Sequence, residues 1–204
     1  FLPLGEGRVG ILAADASGKG LAGARLMVEA RAMIRAMATI SGSPRDILKA
    51  VNRVLLRDLE RGMFVSIFIA LLDPQRRTLT MANAGHMPLL LWSKARNEVV
   101  RCQPRGPILG MAGETRFRGA IEEQVVELAP GDRFLLYTDG VSELMNPVSE
   151  EFGMERLEEW MRAHADAPSD VAIRSLTAAL EGHQAGQMQS DDITIVTGRL
   201  VPGT

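Results

Sequence analysis

Carboxylates recur in this chain in three short runs, each following a stretch that reads as a strand: Asp15-Ala16-Ser17-Gly18-Lys19-Gly20, Thr138-Asp139-Gly140 and Ser190-Asp191-Asp192-Ile193-Thr194. A carboxylate beside glycine or another small residue at a strand end lies at a sheet margin, where the backbone can turn sharply and the oxygen can leave the core. Three such aspartates could converge on hard divalent cations. Mg²⁺ and Mn²⁺ take oxygen ligands in near-octahedral geometry, usually a few carboxylates with several waters, which scattered aspartates without neighbouring histidines can supply. The pattern predicts a metal-dependent hydrolase. Taken singly, each run is also ordinary turn chemistry, because Asp bonds its own backbone and Gly accepts positive φ.

The elements that must position these residues follow from periodicity and turn signals. Arg8 to Ala14 reads as a strand leading into the first run. Gly20 to Thr39, rich in Ala, Met and Leu with scattered Arg25, Glu29, Arg31 and Arg35, predicts a largely buried helix. A second helix is signalled by Ser43 as N-cap, Pro44 at the first helical position and Asp46 in the first turn. Ile47, Leu48, Val51, Val54, Leu55 and Leu59 then recur at helical spacing, opposite Arg45, Lys49, Arg53 and Arg57.

Strands are expected at Phe64 to Leu72, Thr78 to Asn83, Pro88 to Ser93 and Glu98 to Cys102, the first pair joined by a turn at Asp73-Pro74. Ile121 to Leu128 and Arg133 to Thr138, linked by Pro130-Gly131-Asp132, read as a further hairpin. Helices at Gly153 to Ala165 and Pro168 to Leu180, a loop at Gly182 to Gln189 and a last strand at Ile193 to Leu200 complete the chain. Strands with helices grouped between them indicate the α+β class. No internal repeat or low-complexity tract interrupts them.

Composition bounds the rest. The 204 residues suit one domain with a sizeable core, 46% hydrophobic and aliphatic in character, since there are only two Trp and one Tyr. A formal charge of −2 gives no basic footprint for nucleic acid. Cys102 stands alone, which excludes an internal disulfide framework and suits a reducing cytoplasm. It has no histidine partner in its strand-like segment and reads as a buried thiol rather than a nucleophile. No apolar run reaches the length of a membrane span.

Read in order, further blocks join the acidic runs: Met63-Phe64-Val65-Ser66, Ala82-Asn83-Ala84-Gly85-His86-Met87-Pro88, Gly106-Pro107-Ile108-Leu109-Gly110, Leu128-Ala129-Pro130-Gly131-Asp132 and Leu136-Tyr137-Thr138-Asp139-Gly140-Val141. With these blocks, the chain resembles the SpoIIE/RsbU-type serine phosphatases, a bacterial branch of the metal-dependent PPM phosphatase superfamily, over nearly its whole length. The resemblance implies a four-layer αββα sandwich of two antiparallel sheets flanked by helices, formed by residues 1–204 as a single phosphatase domain. Relatives carry a Gly-Gly-Asp strand just before the point where this chain begins at Phe1, with an acidic residue that helps hold the second metal. The expectation is therefore a domain that lacks its N-terminal strand and any upstream sensor or receiver module.

The resemblance also implies roles, residue by residue. Asp15 would bridge two ions, Mn²⁺ or Mg²⁺, with the Ala16 carbonyl completing one site, while Asp139, with Gly140 beside it, and Asp191 hold the other. A backbone carbonyl ligand is indifferent to its own side chain, so Ala16 is acceptable where relatives often have Val or Gly. Two ions sharing a water lower its pKa and clamp the phosphoryl oxygens for in-line attack, without a phosphoenzyme. Asp192 takes a supporting role, because successive strand residues point oppositely. Ser17 and Lys19 lie at a strand-to-helix turn whose N–H groups can attract phosphate, although a solvated surface lysine is the plainer reading of Lys19. His86, at a turn between strands, is either a proton shuttle or a structural turn histidine. Where some relatives have a histidine shortly after the bridging aspartate, Ala16-Ser17-Gly18 has none, which leaves the leaving-group acid unassigned.

The function these readings imply is a phosphoprotein serine/threonine phosphatase of the cytoplasm. Its implied substrate is a phosphorylated STAS-domain anti-sigma-factor antagonist in a bacterial partner-switching pathway. A contrasting reading is a PPM-fold interaction module that has lost activity; such a module would be expected to replace one of Asp15, Asp139 and Asp191, all of which are present. A third, hydrolysis of a small phosphoester, would require a deep basic pocket.

Overall fold

In a computed structural model, the chain is described at every position except 19, 60, 61, 190 and 202–204. From the N-terminus run β1 (Leu2–Pro3), β2 (Val9–Ala16), α1 (Leu21–Ala38), α2 (Pro44–Asp58), β3 (Val65–Asp73), β4 (Thr78–Ala84), β5 (Leu89–Ser93) and β6 (Glu98–Cys102). There follow α3 (Glu114–Ala120), β7 (Gln124–Glu127), β8 (Arg133–Tyr137), α4 (Asp139–Ser142), α5 (Gly153–Ala163), α6 (Ser169–Gln184) and β9 (Ile195–Arg199). The strands form two antiparallel sheets, ordered β1-β2-β3-β4-β7 and β6-β5-β8-β9. The fold is α+β, two antiparallel sheets with helices, as the sequence predicts.

Residues Phe1–His86 with Gln103–Glu127 make one compact unit, and Met87–Cys102 with Leu128–Thr204 make another. In the first, Leu12, Ala14 and Ala16 of β2 and Val65, Ile67, Ile69 and Leu71 of β3 share a core with α1 and α2. Alternation along a strand sends the intervening residues to the opposite face. Asp15 and Ser66, which are register partners, therefore lie on the face turned away from those helices. Ile47, Leu48, Val51 and Leu55 of α2 are fully buried, each contributing about 1.5–3 kcal/mol relative to exposure. The α2 cap forms as predicted: Ser43 Oγ accepts the Asp46 N–H at 3.2 Å and donates to Glu123 Oε2 at 2.5 Å.

In the second unit, Leu90, Trp92, Leu135 and Tyr137 pack against Leu157, Trp160 and Met161 of α5 and Ala172, Leu176 and Leu180 of α6. The fully buried Arg133 pins the α5–α6 connection, donating to the carbonyls of Ala165 and Ala167 and to Thr197 Oγ1. Among the described residues no helix is long and apolar enough to cross a membrane.

The structure corrects several local expectations. The hairpin of Ile121 to Leu128 with Arg133 to Thr138 does not form: β7 pairs with β4, whereas β8 pairs with β5 and β9. Pro130-Gly131-Asp132 is a crossover held by Asp132, whose Oδ1 accepts Lys94 N–H and whose Oδ2 accepts Ala129 N–H, both at 2.8 Å. Helix α1 is not largely buried. Only Gly23, Leu26, Ala30 and Ile34 form its inner stripe, while Leu21 and Val28 are exposed. Helix α6 runs on to Gln184, so the expected loop starts later, after Ala185 turns left-handed at φ 46°. Helix α3, with Phe117 as its one buried residue, left no periodic stripe to read.

Candidate functional site

The first acidic run builds a tight strand-to-helix turn. Beyond the Ala16↔Val65 pair, Ser17 N–H donates to Phe64 O at 2.9 Å and Ser17 Oγ accepts Phe64 N–H at 2.7 Å. Ser17 thus prolongs the ladder past Asp15, and its N–H and hydroxyl are both engaged there. Helix α1 then starts so close beneath that a Cβ on Gly23 would lie 2.2 Å from Gly18 O, which only glycine permits. Asp15 is half-buried at the end of β2. Lys19 lies outside the described residues.

His86 approaches this same end of the sheet. The Asn83 side chain grips both backbone groups of His86, accepting its N–H at 2.7 Å and donating to its carbonyl at 3.0 Å. The buried imidazole meets Ser66 Oγ through Nδ1 at 3.0 Å, and Ser66 is the cross-strand partner of Asp15. Ser66 is a residue to which the sequence assigned no role; its signal is the register, which a sequence alone does not give. A surface cavity of about 450 Å³ opens over the turn, lined by Asn83, Gly85, Gln103, Pro104, Arg105 and Gly106.

The second and third runs meet in the other unit. Strands β8 and β9 are neighbours, and the ladder continues past Tyr137↔Ile195 with Thr138 N–H donating to Thr194 O at 3.2 Å. The Thr138 hydroxyl donates to Asp192 O at 2.8 Å and accepts Thr194 N–H at 2.9 Å. Gly140 passes so near that an added Cβ would lie 2.5 Å from Asp192 O. The Asp139 and Asp191 runs are thereby brought together. Each aspartate has one oxygen fixed by the next residue: Gly140 N–H to Asp139 Oδ1 at 2.9 Å, and Asp192 N–H to Asp191 Oδ1 at 2.7 Å. The second oxygen of each carboxylate can turn toward a cation. Strand β9 begins at Ile195 rather than Ile193, so Asp191 and Asp192 lie ahead of it and the strand alternation expected to separate them does not apply; what Asp192 brings to the corner is its carbonyl.

Electrostatics agrees with a cation here. Glu143, just past α4, has its carboxyl pushed above the usual range, first by burial and then by the negative charges of Asp139, Glu151 and Asp191. Neighbouring carboxylates of this kind suit a hard divalent ion. Among the described residues no three His, Cys, Asp or Glu side chains form a ligand shell by themselves. An ion at this corner would draw on water and carbonyl oxygens as well, as Mg²⁺ commonly does. Cys102 is buried and its thiol is pushed up to about 11 by burial, which makes it a poor nucleophile.

Comparison with known proteins places the chain in a family. A family model described as Stage II sporulation protein E (SpoIIE) matches residues 5–201. Protein IcfG of Synechocystis is 30% identical over 163 residues, covering 76% of this chain and 25% of its own length. Phosphoserine phosphatase RsbU of Bacillus subtilis is 26% identical over 195 residues, covering 95% of this chain and 56% of RsbU. The chain thus spans little more than half, or less, of these relatives. Among solved structures, the SiaA-PP2C domain of Pseudomonas aeruginosa superposes with a TM-score of 0.80 at 25% identity, covering 95% of this chain and 80% of that one.

Proposed function

The chain belongs to the SpoIIE family, and from that membership we propose that it is a metal-dependent phosphoprotein phosphatase acting on phosphoserine or phosphothreonine. The observation that carries the reading is the corner where Thr138 and Gly140 hold the Asp191 loop against Asp139. Asp15, the Ala16 carbonyl, Asp139 and Asp191 are the groups proposed to hold Mn²⁺ or Mg²⁺, two ions in all. Bound there, the metal supplies a water of lowered pKa and charge neutralisation for the phosphoryl oxygens. The protein's part is to fix the ligand oxygens before substrate arrives, which the N–H groups of Gly140 and Asp192 do.

The substrate class rests on likeness to RsbU, named a phosphoserine phosphatase. We take it to be a phosphorylated STAS-domain antagonist of an anti-sigma factor, within a cytoplasmic partner-switching pathway gated by a sensor or receiver module. The test is phosphate release from such a phosphoprotein with and without Mn²⁺, beside a small aryl phosphate. Metal-dependent release that favours the phosphoprotein supports the reading. Turnover of the aryl phosphate alone points to a small phosphoester, and binding without turnover points to an interaction module.

A further inference from the structure

We propose that Thr138 is a positioning residue for the metal corner, and that its hydroxyl rather than its shape sets where Asp191 stands relative to Asp139. This rests on the metal-site reading above. Thr138 is buried at 5% exposure, one residue before Asp139. Its backbone ends the regular β8–β9 ladder by donating to Thr194 O. Beyond that point the chain before β9 leaves the ladder, and its backbone groups need other partners. The Thr138 hydroxyl supplies them in both directions, donating to Asp192 O at 2.8 Å and accepting Thr194 N–H at 2.9 Å.

A single side chain thereby spans the segment that carries Asp192 and ends beside Asp191. Gly140 sets the limit from the other side, since any Cβ there would collide with the same Asp192 carbonyl. The loop is pulled in by one residue and admitted by the other, with Asp139 between them. Gln189 secures the entry, its Nε2 donating to Asp191 O at 2.7 Å. A hydroxyl is the group the position requires. Valine, which matches threonine in shape, offers neither donor nor acceptor and would leave two backbone groups unpaired near the ligands.

The experiment is Mn²⁺ titration by calorimetry on the 204-residue chain and its Thr138→Val, Thr138→Ser, Gly140→Ala and Asp139→Asn variants, with melting temperatures in chelator alongside. Groups that orient metal ligands typically change affinity by about 10–100-fold when removed. Thr138→Val should lose affinity on that scale, and Thr138→Ser, which keeps the hydroxyl, should restore it. Gly140→Ala, which retains the hydroxyl but displaces the loop, should weaken binding too and serves if Thr138→Val does not fold. Unchanged affinity in Thr138→Val overturns the inference, as does a loss in Val and Ser alike that follows melting temperature. If Asp139→Asn binds Mn²⁺ as wild type does, the metal-site reading itself falls and this inference with it.

Discussion

Asp139 keeps its place through the Gly140 N–H, a bond that an asparagine carbonyl in the same position can also accept. Asp139→Asn should therefore fold normally while losing the charge proposed to hold a cation. Phosphate release in excess Mn²⁺ should fall by orders of magnitude, given the several kcal/mol that a catalytic metal supplies. A folded variant, judged by circular dichroism, with wild-type turnover would remove Asp139 from the site. Cys102 carries a different prediction. Its thiol is raised from 9.0 to about 11 by burial, only partly offset by Arg96. Between those values the unfolded chain gives up the thiol proton and the folded chain keeps it, so the folded state binds more protons there. Stability is then fully present below about pH 9 and falls as pH rises through about 11. Urea melts should show this decline in wild type and a shallower one in Cys102→Ala; identical slopes would show that the thiol does not titrate as described.

At the scale of elements, α2 was readable in detail because its signals are local: cap, proline and apolar stripe all lie within a few residues. Ser43→Ala should cost about 0.5–2 kcal/mol in urea denaturation, by loss of the N–H acceptor. No change would show that the cap does not contribute. Its second partner, Glu123, which also accepts Arg45 N–H at 3.2 Å, was invisible because it comes from 80 residues away in sequence. The Thr138 clasp on Asp192 was hidden for the same reason, at a separation of 54 residues. The acidic runs themselves were legible as motifs, but their settings differ: Asp15 ends β2, Asp139 opens α4 just after β8, and Asp191 lies in the segment ahead of β9 rather than after a strand. The false hairpin arose because Pro130-Gly131-Asp132 carries turn chemistry whichever strands it connects. Helix α1 misled because its many alanines and methionines are tolerated inside and outside alike, so composition did not reveal which stripe meets the sheet.

At the scale of the whole molecule, the proposed site gathers negative charge that a cation would neutralise. Without metal, neighbouring carboxylates repel one another in the folded state more than in the unfolded chain. A metal that binds only the folded form adds RT ln(1 + [L]/Kd), about 2.7 kcal/mol at a hundredfold excess over Kd. For a domain of this size each kcal/mol moves the melting temperature by roughly 2–4 °C. The most direct test compares thermal melts of wild type and Asp139→Asn in chelator and in Mn²⁺ titrated to millimolar concentration. Wild type should gain several degrees with Mn²⁺ and Asp139→Asn little, while in chelator the variant should melt at or above wild type. An equal metal-induced rise in the two proteins, or none in wild type at millimolar Mn²⁺, would contradict the metal-site reading.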